Sequence, residues 1–123
     1  MSKKILIVED NEQNRRLMRD ILKYYGYEII EAENGDEGIK MTKIHKPDLI
    51  LMDMQMPVMD GFAATQILKK DAETKNIKII AVTSFAMVGD KERIMGAGAD
   101  DYIAKPIDTR QLPKIVEKIL NDK

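Results

Sequence analysis

Residues 47–61 read PDLILMDMQMPVMDG, and the way this stretch breaks decides the fold. Leu49, Ile50, Leu51 and Met52 form a continuous apolar run. It is too short for a core helix and suits a strand buried on both faces. Asp53 ends the run, which sets a carboxylate at the rim of the core, half withdrawn from water. Pro57 and Gly61 then shape a loop. In open α/β sheets ligands bind in the crevice beyond the carboxyl ends of the strands. By itself an Asp there is an ordinary solvated end of a strand; the rest of the chain changes its weight.

Upstream, Ile5 to Val8 is a second apolar run, closed by Glu9, Asp10 and Asn11. From Glu12 to Tyr25, the residues Leu17, Met18, Ile21, Leu22 and Tyr25 recur on one helical face, and Gly26 stops the helix. Glu28 to Ala32 predicts a poorer strand at or near a sheet edge, because polar residues closely flank Ile29 and Ile30. The segment from Gly35 to His45 has helical propensity with a ragged apolar face of Ile39, Met41 and Ile44.

Downstream, Phe62, Ala64, Ile67 and Leu68 predict a third helix, with Asp60 as its cap and the stretch from Asp71 to Asn76 as its close. Ile77 to Val82 reads as a fourth strand ending at Thr83, Ser84 and Phe85. A weakly amphipathic helix follows from Met87 to Met95, ended by Gly96 and Gly98. Asp100 and Asp101 read as turn and capping acids. Tyr102, Ile103 and Ala104 make a short fifth strand before Lys105 and Pro106. Asp108 with Gln111 three residues on is a capping-box pattern. Leu112, Ile115, Val116, Ile119 and Leu120 form the cleanest helical stripe, with Pro113 in its first turn, where a missing N–H costs little.

The pattern is βα five times over, which implies a parallel sheet with helices on both faces and right-handed crossovers. Five strands favour the doubly wound, flavodoxin-like order 2-1-3-4-5. The whole chain, 1–123, has the size of one domain. In that order strands 1 and 3 are neighbours, and Glu9, Asp10 and Asp53 meet in the crevice at their carboxyl ends.

Composition narrows the classes. With no cysteine, disulfides and thiolate metal sites are excluded. Twenty basic against 21 acidic residues leave a net charge of −1, which gives no general attraction to nucleic acid or anionic lipid. The opening lysines and the run to Val8 end at once in acids, unlike a signal peptide, and no stretch approaches a membrane span; a cytoplasmic protein is expected. The nine methionines read as adaptable core filler.

Three carboxylates at one partly buried crevice repel one another by roughly several kcal/mol per close pair. Something positive must be present. The donor set is all oxygen, which suits a hard cation that keeps several waters, Mg²⁺ first and Mn²⁺ second. Lys105 reaches inward from the end of strand 5, and Thr83 offers a hydroxyl from the end of strand 4. Three acids, a lysine and a hydroxyl at successive strand ends make a site for a phosphoryl group, in which metal and ammonium neutralise its oxygens while one carboxylate attacks.

Four motifs, VEDN, DLILMDMQMPVMDG, AVTSF and GADDYIAKPI, occur in order at these sites. Through them the chain resembles, from end to end, a response-regulator receiver domain, the phosphoacceptor half of two-component signalling. It is similar in particular to stand-alone receivers related to bacterial cell-division regulators. The resemblance implies that Asp53 is the phosphorylated residue. Asp10 and Asp53 would ligate Mg²⁺ directly, Glu9 mainly through water, and Gln55 through its backbone carbonyl. Lys105 would pair with the phosphoryl oxygens, Thr83 would bond to one, and the Lys105–Pro106 bond would be cis. Tyr102 would turn inward as Thr83 moves, changing the surface of strand 4, helix 4, strand 5 and helix 5. The implied partners are a histidine kinase or histidine phosphotransfer protein and a downstream protein target, with no direct nucleic-acid binding and no membrane. Phe85, Met87 and Val88 are either core or a partner-binding patch.

His45 is the only histidine. It lies near a helix end, where a partly protonated ring suits the dipole, and the donor histidine belongs to the partner. The rival readings are a Mg²⁺-dependent phosphohydrolase, an FMN-binding electron carrier, and a degenerate receiver that acts without phosphorylation. The first wants a second acid where Gln55 stands, the second a Ser-, Thr- or Gly-rich loop in place of VEDN, and the third an incomplete acid, hydroxyl and lysine set. The expectation is a signalling switch rather than an enzyme.

Overall fold

A computed structural model describes residues 2–56, 59–84 and 88–121, without the side chain of Val88. Pro57, Phe85, Met87 and the Val88 side chain therefore lie outside the described residues. The elements are β1 (Lys4–Val8), α1 (Glu12–Tyr24), β2 (Glu28–Ala32), α2 (Gly35–His45), β3 (Leu49–Asp53), α3 (Gly61–Lys70), β4 (Lys78–Thr83), α4 (Val88–Gly96), β5 (Asp101–Ala104) and α5 (Gln111–Asn121). All strand pairs are parallel and the sheet order is β2-β1-β3-β4-β5. β2 is an edge strand, as its flanking polar residues predict.

The two-residue period of the strands divides the core. Ile5, Ile7, Leu49, Leu51, Ile80, Val82 and Ile103 pack with Met18 and Leu22 of α1 and with Leu112, Val116 and Ile119 of α5. Leu6, Val8, Ile50, Met52, Ile79 and Ala81 point the other way, onto Phe62, Ala64 and Leu68 of α3 and Ile94 of α4. Burial on both faces explains why these strands are apolar without alternation. The sheet is flanked on each side, so its chemistry is confined to its ends.

Helix boundaries follow local chemistry. Asn11, Asn34 and Asp60 cap α1, α2 and α3, each side chain accepting a backbone N–H three residues on. Gly26 leaves α1 with φ +90°, and the Tyr27 N–H returns to the Leu22 carbonyl at 3.2 Å. Some stripe residues do not face the core. Tyr25 and Ile44 are more than half exposed, and Leu17 and Ile67 stand at the helix margins. A helix on a sheet covers only one flank, so a stripe as wide as the sequence offers leaves its borders in water. Asp100 is also not simply a capping acid: it accepts Lys69 Nζ at 2.9 Å and the Ile79 N–H at 2.8 Å, tying α3 to the start of β4.

Candidate functional site at the carboxyl end of the sheet

The same period that builds the core aims the site. Glu9 continues the side of β1 set by Ile5 and Ile7, Asp53 that of Leu49 and Leu51, and Lys105 that of Ile103. The three side chains therefore converge, Glu9 and Asp53 from adjacent strands and Lys105 from two strands beyond β3. One carboxylate oxygen from each of Glu9, Asp10 and Asp53 lies within 4.8 Å of the others. Glu9 and Asp53 are buried while Asp10 is exposed. Lys105 Nζ stands 3.2 Å from Asp53 Oδ1 and 3.3 Å from Glu9 Oε1. The Lys105–Pro106 peptide is cis, as the resemblance implies.

Backbone contacts hold the acids. The Gln55 N–H donates to Asp53 Oδ1 at 3.0 Å, and the Asn11 N–H to Glu9 Oε2 at 3.3 Å. Gly61 is a requirement of the site itself, because a Cβ there would collide with the Asp53 carbonyl oxygen and the Met54 backbone. The start of α3 thus leans directly on the end of β3. Asn11 and Gly61 appear in the sequence only as a turn residue and a loop glycine; their contacts to the acids are local but depend on how the turns after β1 and β3 fold back.

The electrostatics are unbalanced. Asp53 Oδ2 is buried without a hydrogen-bond partner, and so is Glu9 Oε1, whose ion pair with Lys105 lacks hydrogen-bond geometry. Burial, reinforced by the nearby Asp53 carboxylate, raises the Glu9 pKa from 4.5 to about 8. Burial works against the Lys105 charge as well, yet the carboxylates of Asp53 and Glu9 overcome it and hold the pKa above its ordinary value. One oxygen of each of the three acids lies within 4.8 Å of the others, close enough for a single cation to be shared among them. The orphaned, buried oxygens fit a divalent cation.

Thr83 ends β4 fully buried, and its carbonyl accepts the Lys105 N–H at 2.7 Å. Gln55 Oε1 accepts the Ser84 N–H at 2.9 Å, bridging the loops after β3 and β4. Tyr102 is half-buried on β5, with its ring 5.5 Å from Lys91 Nζ. His45 ends α2, and its carbonyl meets Lys4 Nζ at the opposite end of the sheet from Asp53.

The family model for the response regulator receiver domain matches residues 5–117. The chain belongs to this family. As a receiver domain it is 46% identical over 122 residues to the polar-differentiation response regulator DivK of Brucella anthropi, with 99% of each chain covered. The receiver domain of sensor histidine kinase PA1611 from Pseudomonas aeruginosa, solved with a magnesium ion coordinated in its active site cleft, superposes with a TM-score of 0.91. It is 32% identical and covers 99% of this chain and 100% of its own. The Vibrio cholerae chemotaxis protein CheY4 superposes with a TM-score of 0.91 at 26% identity, covering 97% and 99%. Receiver domains are signalling modules, and no helix among the described residues is long and apolar enough to cross a membrane.

Proposed function

We propose that this receiver, acting as a single domain in the cytoplasm, takes a phosphoryl group from a phosphohistidine partner onto Asp53 and so changes which proteins it binds. The observation that carries the reading is the buried, unpartnered Asp53 Oδ2 beside Lys105 in a cluster with more acids than cations. Asp10 and Asp53 would hold Mg²⁺ directly, with Glu9 through water and Gln55 by its backbone carbonyl. The ion supplies charge neutralisation at the phosphoryl oxygens; Mn²⁺ has the same preference for oxygen ligands.

An Asp53 carboxylate oxygen attacks phosphorus, the bond from phosphorus to the imidazole nitrogen of the donor breaks, and that nitrogen keeps the electron pair. Lys105 stays paired with the oxygens of the transferred group, and the Thr83 hydroxyl donates to one of them. The aspartyl phosphate carries about two negative charges where one stood. Thr83 is drawn toward it, and the Tyr102 ring leaves Lys91 for the space behind. A groove of about 590 Å³ lined by Lys91, Tyr102, Ala104, Lys114, Ile115 and Lys118 opens beside that ring. A shift of Tyr102 would therefore reshape the face of β4, α4, β5 and α5 to which a downstream protein binds. We further propose from the sequence that Phe85, Met87 and Val88 contribute to partner binding.

Incubation with a small-molecule phosphodonor and Mg²⁺, followed by mass mapping, is expected to place one hydroxylamine-labile phosphoryl group on Asp53 and none on the Asp53→Asn variant. Modification that persists in the variant overturns the assignment.

A further inference from the structure

Beyond the last register pair of β1 and β2, Val8–Ala32, the Glu9 N–H still donates to the Ala32 carbonyl at 3.0 Å. The Glu9 carbonyl instead turns toward α1, where Arg15 Nη1 donates to it at 2.9 Å. The Arg15 side chain is only 13% exposed. Glu31 of β2 accepts its Nε at 3.2 Å, and Glu33 lies 3.6 Å from Nη2. A rigid guanidinium fork thus spans from the edge strand to the peptide that joins Glu9 to Asp10. That peptide is planar. Pinning its carbonyl restrains ψ of Glu9 and φ of Asp10, the two torsions that relate the backbone of one acid to that of the next.

We infer that Arg15, locked by Glu31, is a positioning residue that sets the spacing of the Glu9 and Asp10 carboxylates for the divalent cation. The inference rests on the reading of the acid cluster as a Mg²⁺ site. Its action is geometric. Arg15 and Arg19 stand against Glu31 and Glu33, so this group of charges adds little net field at the acids. Arg19 is the internal control, since its Nη1 meets both oxygens of the same Glu31 at 3.1 Å and its other ion pair is with Asp20.

The test is calorimetric titration of the full chain with Mg²⁺, with thermal midpoints and amide spectra of the metal-free protein recorded beside it. Arg15→Lys keeps the charge but cannot reach the carbonyl and Glu31 together. It is expected to weaken Mg²⁺ binding by about tenfold or more, as loss of an orienting partner does, and to move the Asp10 and Asn11 amide resonances. Arg15→Ala should do at least as much, and Arg19→Ala should stay within about twofold of the wild type. An Arg15→Lys dissociation constant within about twofold of the wild type overturns the inference, and so does an equal weakening in Arg19→Ala. Should Arg15→Ala not fold, the lysine variant decides. A wild-type chain that takes up no Mg²⁺ overturns the metal reading first and the inference with it.

Discussion

Two lysines are drawn into the protein beside acids, Lys69 at the amino end of β4 and Lys105 at the carboxyl end of the sheet. Lys69 Nζ meets Asp100 Oδ2 at 2.9 Å, the Ile77 carbonyl at 2.8 Å and the Lys75 carbonyl at 3.4 Å. Asp100 Oδ2 also takes the Ile79 N–H. One positive charge faces one negative charge, and both are hydrogen-bonded. Lys105 faces Glu9 and Asp53 with Asp10 close by, and two buried carboxylate oxygens there have no hydrogen-bond partner. Completeness separates the two. A satisfied pair fastens elements together, while a surplus of buried acid stores unfavourable energy that a cation can relieve.

The sharpest way to break this contrast is to remove one acid from each cluster. Asp100→Ala deprives Lys69 and the Ile79 N–H of their shared acceptor, and urea unfolding is expected to show a loss of ~2–4 kcal/mol. Its Mg²⁺ affinity should match the wild type. A stability loss below ~0.5 kcal/mol would erase the distinction between the lysines.

The open cluster should respond to pH with the sign set by Glu9. In the metal-free protein this carboxyl keeps its proton up to about 8, whereas the unfolded chain releases it near 4.5. Between those values the folded state binds more protons, so stability falls as the pH rises through the window and levels above it. Thermal or urea melts from pH 5 to 9 should show this contribution on the order of 2 kcal/mol. Saturating Mg²⁺, which binds the deprotonated acids, should flatten the fall. A metal-free curve without this contribution would mean that Glu9 is charged throughout.

The smallest effect sharpens the same point. Glu9→Gln cannot ionise in either state, so metal-free stability above pH 8 should rise by up to about 2 kcal/mol, while at pH 4, where the wild-type carboxyl is protonated in both states, the change should be close to nil. Paired melts of variant and wild type at the two pH values check it. Destabilisation at both would show that the carboxylate is held by contacts better than those to Asn11 and Lys105.

Much of this was legible before any coordinates. The apolar runs ending in Glu9, Asp53 and Thr83 identify strands buried on both faces, and parity along each strand tells which rim residues share a side. Asp60 as the cap of α3 and β2 as an edge strand are local or nearly local features. Tyr25, Ile44 and Ile67 lie on the apolar stripe yet face water, because a helical stripe records which side is apolar but not how far the sheet extends beneath it. From sequence Asp100 reads as a capping acid because its partner Lys69 lies 31 residues away. The contact of Arg15 with Glu31, 16 residues on, is hidden for the same reason, and its bond to the Glu9 carbonyl because spacing along the chain does not show which way a carbonyl turns.

By itself the sequence determined the order of elements, the family and the set of acids, hydroxyl and lysine at the strand ends, since each depends on residue type and short spacing. The tertiary structure alone decided that Asp53 Oδ2 and Glu9 Oε1 are buried without hydrogen-bond partners, and that an edge-strand glutamate locks the arginine behind the acid pair. Burial and orphaned oxygens are properties of what surrounds an atom, and here the surroundings come from strands and helices far apart in the chain.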